Sequence, residues 1–234
     1  MKTYITRLLG LTMLLAFLSL SAAGRAQDVA STAVLRNTWL EKHNRQVAVA
    51  LQDGCEIMFL GDSITEGWAG RGMEVWNHEF APRRAVNFGI SGDRTEHVIW
   101  RLQNGALSAE IQPRLVVLMI GTNNMGRDSA EQIAAGVGVI VREIQARAPS
   151  AKILLLGIFP RSAGADEPIR AKIAATNAII AKISGVTFLD IGGQFLEADG
   201  SLSREIMPDL LHLSATAYAR WAMAIKPVMA ELLK

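Results

Sequence analysis

Five short apolar runs, Glu56–Leu60, Ala85–Phe88, Leu115–Ile120, Lys152–Ile158 and Val186–Ile191, recur at fairly regular intervals and constrain the fold more than any other feature. Each is rich in Val, Ile and Leu and too short for a helix of ordinary length. The stretches between them, Glu96–Gln103, Ala130–Ala148 and Arg170–Ile183, together with a last one from Ala215 to Leu233, carry apolar residues at helical spacing. Near-continuous apolar strands alternating with helices predict a parallel sheet covered on both faces. The expected class is therefore α/β, a doubly wound, flavodoxin-like three-layer sandwich around a five-stranded parallel sheet. Residues 27 to about 50 read as a leading helix. No repeat, low-complexity segment or linker marks a second unit, so residues 27–234 are expected to form a single domain.

The N-terminus follows a different logic. Met1-Lys2 and Arg7 precede an apolar stretch from Leu8 to Leu20, and small residues follow as far as Gly24-Arg25-Ala26. That order is the charged, apolar and cleavable pattern of a secretory signal peptide. The stretch is shorter than the roughly 20 apolar residues of a membrane span. A signal over residues 1–26 predicts a periplasmic or extracellular protein without a stable membrane anchor. Its removal takes away Lys2, Arg7 and Arg25 and no acid, bringing the formal net charge from +2 to −1. No basic run with interleaved aromatics is present, so a nucleic-acid partner has no footing. The single cysteine, Cys55, has no partner for an internal disulfide and reads as a small buried hydrophobe.

In open parallel sheets, ligands bind beyond the carboxyl ends of the strands. The residues at those ends are Gly61-Asp62-Ser63 after the first run, Gly89-Ile90-Ser91-Gly92-Asp93 after the second and Gly121-Thr122-Asn123-Asn124 after the third. Ser63 admits two readings. It is a hydroxyl at the sheet's carboxyl edge, and with Glu66 three residues on it also matches a capping box.

A nucleophilic serine needs a base, a group that orients the base, and donors for an oxyanion. Of His43, His78, His97 and His212, the first three lie in polar or helical patterns and read as solvated or packing residues. His212, in "MPDLLHLS", follows Asp209 by three residues, close enough for the carboxylate to fix the imidazole tautomer. Gly89, lacking a side chain, is expected to offer its N–H closely to a substrate oxygen, and Asn123 to offer its amide. The nucleophile elbow Gly-x-Ser-x-Gly is excluded because Thr65 stands at the second glycine position. Clustered metal-ligand spacings and a dinucleotide fingerprint are absent from the sequence, so neither metal nor cofactor is expected.

The blocks "GDSIT", "NFGISGD", "GTNN" and "DLLH", in that order, resemble those of the SGNH or GDSL hydrolases. The wider stretch "NFGISGDRTEHVIWRLQNGAL" and the later "LGIFPR" look most similar to the branch holding the catalytic subunits of platelet-activating-factor acetylhydrolase 1B and secreted bacterial esterases. The resemblance covers roughly Glu56 to the C-terminus. It implies the SGNH fold, Ser63 as nucleophile, and His212 as base and then acid with Asp209 orienting it. It also implies an oxyanion hole of the Ser63 and Gly89 N–H groups with the Asn123 side chain. It further implies a small acyl pocket of Ile64, Thr122 and Leu211, no cofactor, and pairing as a homodimer. Arg94 places a cation in "SGDRT" where the animal enzymes resemble "GGDTT".

The expected protein is thus a secreted serine esterase acting on short acyl esters, foremost acetyl, on carbohydrate. The alternatives are a lipid or lysophospholipid acylhydrolase, and a catalytically silent carbohydrate-binding protein. The loops Trp68–Trp76 and Arg161–Pro168 are the expected contacts for the alcohol, with Trp68 and Trp76 as possible sugar-stacking residues or packing residues.

Overall fold

A computed structural model describes residues 28–234; the predicted signal segment, and the chain start expected near Gln27, lie outside the described residues. Five strands, β1 (Ile57–Gly61), β2 (Ala85–Gly89), β3 (Leu115–Met119), β4 (Lys152–Leu156) and β5 (Thr187–Leu189), form one all-parallel sheet in the order β2-β1-β3-β4-β5. This is the doubly wound α/β arrangement expected from the alternating pattern. The chain runs from β1 outward to β2, then returns to place β3 on the other side of β1. The resulting switch point lies between the carboxyl ends of β1 and β3.

Side chains of a strand alternate between faces, and the central strands are buried on both. Met58 and Leu60 enter one core with α4 (Thr95–Arg101), α5 (Ala130–Arg147), Ala50 of α1 (Leu40–Asp53) and Ile180 of α6 (Pro168–Ile180). Ile57 and Phe59 enter the other, packed with Tyr218, Trp221 and Ile225 of α7 (Ala215–Leu232) and with Trp68 and Phe80. Ser129 and Gln132 close a capping box at the start of α5, and Ser214 caps α7 through its hydroxyl.

Two local expectations are corrected. The leading helix starts only at Leu40: residues 28–39 hold two short 3₁₀ turns, at Val29–Ser31 and Asn37–Trp39, separated by non-helical chain. There the chain is held by neighbours rather than by its own helical bonds, with Val34 N–H donating to Glu96 O and Arg36 to Ser91 O. The segment Trp68–Trp76 is no plain loop, since a 3₁₀ turn at Gly67–Ala69 leads into α3 (Met73–Glu79). His43 is buried, with Nε2 2.8 Å from Asn104 O, and packs edge-on against Trp100. Cys55 is partly buried against the first core, and burial pushes its thiol up to about 12.

Candidate active site

The short helix α2 (Ser63–Glu66) leaves the carboxyl end of β1 at once. Its cap is Asp62, whose Oδ1 accepts from Ile64 N–H at 3.0 Å. This overturns the capping-box reading: Ser63 is the first helical residue, and its hydroxyl is left for another partner. Glu66 turns elsewhere as well, pairing with Lys42 of α1 and accepting from Ser91 N–H. Asp62 is fully buried, and burial drives its carboxyl up to about 7, with nearby Asp93 adding to the rise.

Ser63 Oγ lies 2.8 Å from His212 Nε2, and His212 Nδ1 lies 2.6 Å from Asp209 Oδ2. The other Asp209 oxygen accepts from Leu211 N–H at 3.1 Å and from His212 N–H at 2.7 Å. Partial burial raises the Asp209 carboxyl, but the imidazole and these backbone donors outweigh that and hold it at about 2. An ionised carboxylate in that place makes Nδ1 the protonated nitrogen and leaves Nε2 to receive the Ser63 proton.

The loop that carries the acid and base is bent at Leu210, which adopts the left-handed conformation at φ 60°. Branched side chains rarely occupy that region, so surrounding structure has to hold it. Ser162, itself left-handed at φ 67°, donates from its N–H to Leu210 O at 3.0 Å. From the other side Tyr218 Oη donates to Ile64 O at 2.6 Å, fixing α2 against α7.

The donors are arranged differently from the sequence expectation. Gly89 N–H is taken by Asn87 Oδ1 at 2.8 Å, and a Cβ on Gly89 would stand 2.1 Å from Glu66 N. Gly89 is therefore required for the close approach of α2 to β2, and its N–H is not free for an oxyanion. Three residues on, Gly92 sits at φ 75° in a turn closed by Asp93 N–H to Ile90 O. Among the described residues its N–H has no acceptor. The sequence holds two glycines in "GISGD", and only the end of β2 tells them apart.

Asn123, in the 3₁₀ turn Thr122–Asn124 after β3, donates from Nδ2 to Asp93 O at 2.8 Å, leaving its second amide hydrogen unassigned. Arg94 Nε donates back to Asn123 O at 3.0 Å. Ser63 and Asn123 thus stand on the two sides of the switch point. Of the acyl-pocket candidates, Ile64 and Thr122 are buried and Leu211 half-buried, and Ile64 and Leu211 share one apolar cluster. Arg161 Nη1 approaches Thr122 Oγ1 at 3.4 Å.

Beneath the site, Arg101 is buried with Nε 2.9 Å from Asp93 Oδ2 and donates to Phe88 O and Gly61 O. Sequence reading missed this residue because a lone arginine in a helical stretch carries no sign of burial. Trp68 is a packing residue, fully buried against Phe80, Tyr218 and Trp221, whereas Trp76 is half-buried. No group of three or more metal-ligating side chains occurs among the described residues.

Known proteins resemble this chain in sequence and in fold. The GDSL-like Lipase/Acylhydrolase family model matches residues 59–220. The chain is 38% identical over 200 residues to platelet-activating factor acetylhydrolase IB subunit alpha2 of Rattus norvegicus, covering 84% of this chain and 85% of that one. It is equally identical over 199 residues to the alpha1 subunit of Homo sapiens, with 83% and 84% covered. Among solved structures, a GDSL-like lipase from Bacteroides thetaiotaomicron superposes with a TM-score of 0.67 at 20% identity, covering 82% of this chain and 97% of that one. An acetylxylan esterase from Geobacillus stearothermophilus gives 0.60 at 20% identity, covering 77% and 94%. By sequence match, fold and site together, the chain belongs to the GDSL-like lipase/acylhydrolase family and is a carboxylic ester hydrolase.

Proposed function

We propose that the protein is an exported serine esterase that removes short acyl groups, foremost acetyl, from carbohydrate alcohols through an acyl-enzyme on Ser63. The observation that carries the reading is the unbroken chain Ser63 Oγ, His212 Nε2, His212 Nδ1, Asp209 Oδ2, at 2.8 and 2.6 Å. Ser63 Oγ attacks the ester carbonyl while its proton passes to His212 Nε2. The same proton then goes to the departing alcohol oxygen as the carbon–oxygen bond breaks. Water, deprotonated by His212, attacks the acyl-enzyme and releases the acid and free Ser63.

Charge on the carbonyl oxygen is met by the N–H of Ser63, which as the first helical residue has no intrahelical acceptor, by Gly92 N–H and by Asn123 Nδ2. Gly92 replaces Gly89 in this role because the Gly89 N–H is already bonded. Asp209 keeps the imidazole oriented and stabilises its cationic form.

The acetyl preference is supported by the buried side chains of Ile64 and Thr122 and by the name of the 38%-identical relatives, which are acetylhydrolases. Export rests on residues 1–26. The carbohydrate assignment rests on that compartment and on the mixed polar and aromatic surface beside Ser63.

Purified protein is expected to hydrolyse 4-nitrophenyl acetate faster than the butyrate and octanoate, and Ser63→Ala to reduce this to background. Equal rates for wild type and Ser63→Ala would overturn the assignment of the nucleophile. A faster octanoate would overturn the short-acyl preference. Recovery of expressed protein with an intact residue 1 in the cytoplasmic fraction would overturn export.

A further inference from the structure

Resting on the placement of Gly92 as an oxyanion donor, we infer that Arg36 is a positioning residue for the esterase reaction: its guanidinium holds and polarises the peptide unit between Ser91 and Gly92. Arg36 Nη1 donates to Ser91 O at 3.0 Å. That carbonyl and the Gly92 N–H belong to one planar peptide and point to opposite sides of it. A cation on the oxygen therefore fixes the direction of the N–H. It also strengthens the N–H as a donor, because groups linked in a chain of hydrogen bonds polarise one another.

The rest of the turn is built to the same end. Ser91 N–H donates to Glu66, one helical turn after Ser63, so the donor turn is tied to the helix that carries the nucleophile. Asp93 N–H closes the turn on Ile90 O at 3.1 Å. A Cβ on Gly92 would stand 2.9 Å from Arg36 Nη2. Glycine at this position thus permits the left-handed φ of 75° and also leaves room for the guanidinium behind the peptide.

Arg36 is itself held in place. Its Nη1 lies 3.2 Å from Asp93 Oδ1, and its guanidinium carbon stands 5.3 Å from the Trp39 ring centroid. Its side chain is 30% exposed, so its charge is screened less than one on the open surface. Asp93 is shared with Arg101, whose Nε lies 2.9 Å from the other carboxylate oxygen, so the formal charges of the three residues leave one positive charge at the turn. Charge on the ester oxygen develops only as Ser63 adds to the carbonyl, so this field acts on the transition state rather than on bound substrate. Arg36 precedes the residues matched by the family model, and none of the four sequence blocks points to it.

The test compares wild type, Arg36→Lys, Arg36→Met and Gly92→Ala on 4-nitrophenyl acetate, with melting temperature recorded for each, and measures inhibition by 1,1,1-trifluoroacetone. Ser63 Oγ adds to the ketone carbon, its proton passes to His212 and the ketone oxygen becomes an oxyanion, so affinity for this compound reads the donors directly. Arg36→Met is expected to lower kcat at least ten-fold, with KM within two-fold of wild type, and to raise the inhibition constant by at least ten-fold. Arg36→Lys, which keeps a cation able to donate to Ser91 O, is expected to recover part of both losses. It carries the comparison alone, with about a three-fold fall in kcat and a matching rise in the inhibition constant, if Arg36→Met does not fold.

A wild-type kcat in Arg36→Met would overturn the proposal. So would a fall in kcat with unchanged affinity for the ketone, a loss carried by KM, or an Arg36→Lys enzyme as slow as a folded Arg36→Met. Gly92→Ala with wild-type kcat and ketone affinity would instead remove the donor role on which the proposal rests. Wild type inert on every ester would bring down the esterase reading itself.

Discussion

Arg94 and Asn123 hold one another across the mouth of the site. Arg94 Nε donates to Asn123 O at 3.0 Å, and Asn123 Nδ2 donates to the carbonyl of Asp93, the residue before Arg94, at 2.8 Å. The two turns after β2 and β3 are thereby tied, and the Asn123 amide is aimed by backbone rather than by chance rotamer choice. Asn123→Ala is expected to lower kcat by about 10²- to 10³-fold, the size seen when one oxyanion donor is lost. Arg94→Met, which removes only the brace, is expected to lower kcat several-fold with KM little changed. Steady-state kinetics on 4-nitrophenyl acetate separates the two, and an Arg94→Met enzyme with wild-type kcat would show that the brace does nothing for the amide.

Gly89 and Gly92 should fail in opposite ways. An alanine Cβ at position 89 meets the backbone nitrogen of Glu66 at 2.1 Å, and neither the strand nor the helix can yield cheaply. At position 92 the nearest atoms, at 2.9 Å, belong to the Arg36 guanidinium, and the left-handed φ adds a penalty of about 1–2 kcal/mol. Gly89→Ala is expected to be poorly soluble or strongly destabilised. Gly92→Ala should fold with a melting temperature lowered by only a few degrees and a reduced kcat. A stable Gly89→Ala protein with lost kcat would return the donor role to Gly89.

Arg101 is buried beside Asp93 and beneath the Gly61 and Phe88 carbonyls, so its charge is matched only by groups of the protein. Burial alone pushes the Asp93 carboxyl up, opposed by Arg101 and Arg36. Removing the guanidinium leaves Asp93 with Arg36 alone and strands two carbonyls. Arg101→Met is expected to cost about 3–5 kcal/mol by urea denaturation, the range for breaking a buried pair from one side. A loss below 1 kcal/mol would mean the cluster relaxes freely.

His97 gives the fold a pH signature. Burial lowers its pKa to about 4, with Arg36, Arg94 and Arg101 adding to the drop against the opposing pull of Glu96; Asp93 Oδ1 lies 3.9 Å away. Its Nδ1 accepts from Arg94 N–H at 3.0 Å, which requires the neutral ring. The folded pKa lies below the unfolded value of 6.5, so this contribution is complete above pH 6.5 and is lost as pH falls towards 4. Its size is on the order of 2 kcal/mol. Asp62 acts oppositely over nearby pH: its raised carboxyl favours folding more as pH falls from about 7. The His97 part is therefore read as a difference. Between pH 7 and 4, wild type should lose more stability than His97→Gln, and parallel curves would remove His97 from the account.

Much of this was legible in the chain itself. The five apolar runs and their spacing specify a parallel sheet, because only strands buried on both faces need continuous Val, Ile and Leu. The order of the Ser63, Asn123 and Asp209-to-His212 blocks follows from the same topology, which brings strand ends to one edge. Hydrogen-bond ownership was not legible. Whether Gly89 or Gly92 has a free N–H depends on where β2 ends and on the Asn87 side chain, and one glycine looks like another in sequence. That Asp62 rather than Ser63 caps α2 depends on where the helix starts, and the partner of the serine hydroxyl, His212, lies 149 residues away. The burial of Arg101 and the bond from Arg36 to Ser91 likewise arise from contacts between segments far apart in the chain. Local pattern determines what each segment becomes, while only the packed tertiary structure decides which polar groups are satisfied and which are left to meet a substrate.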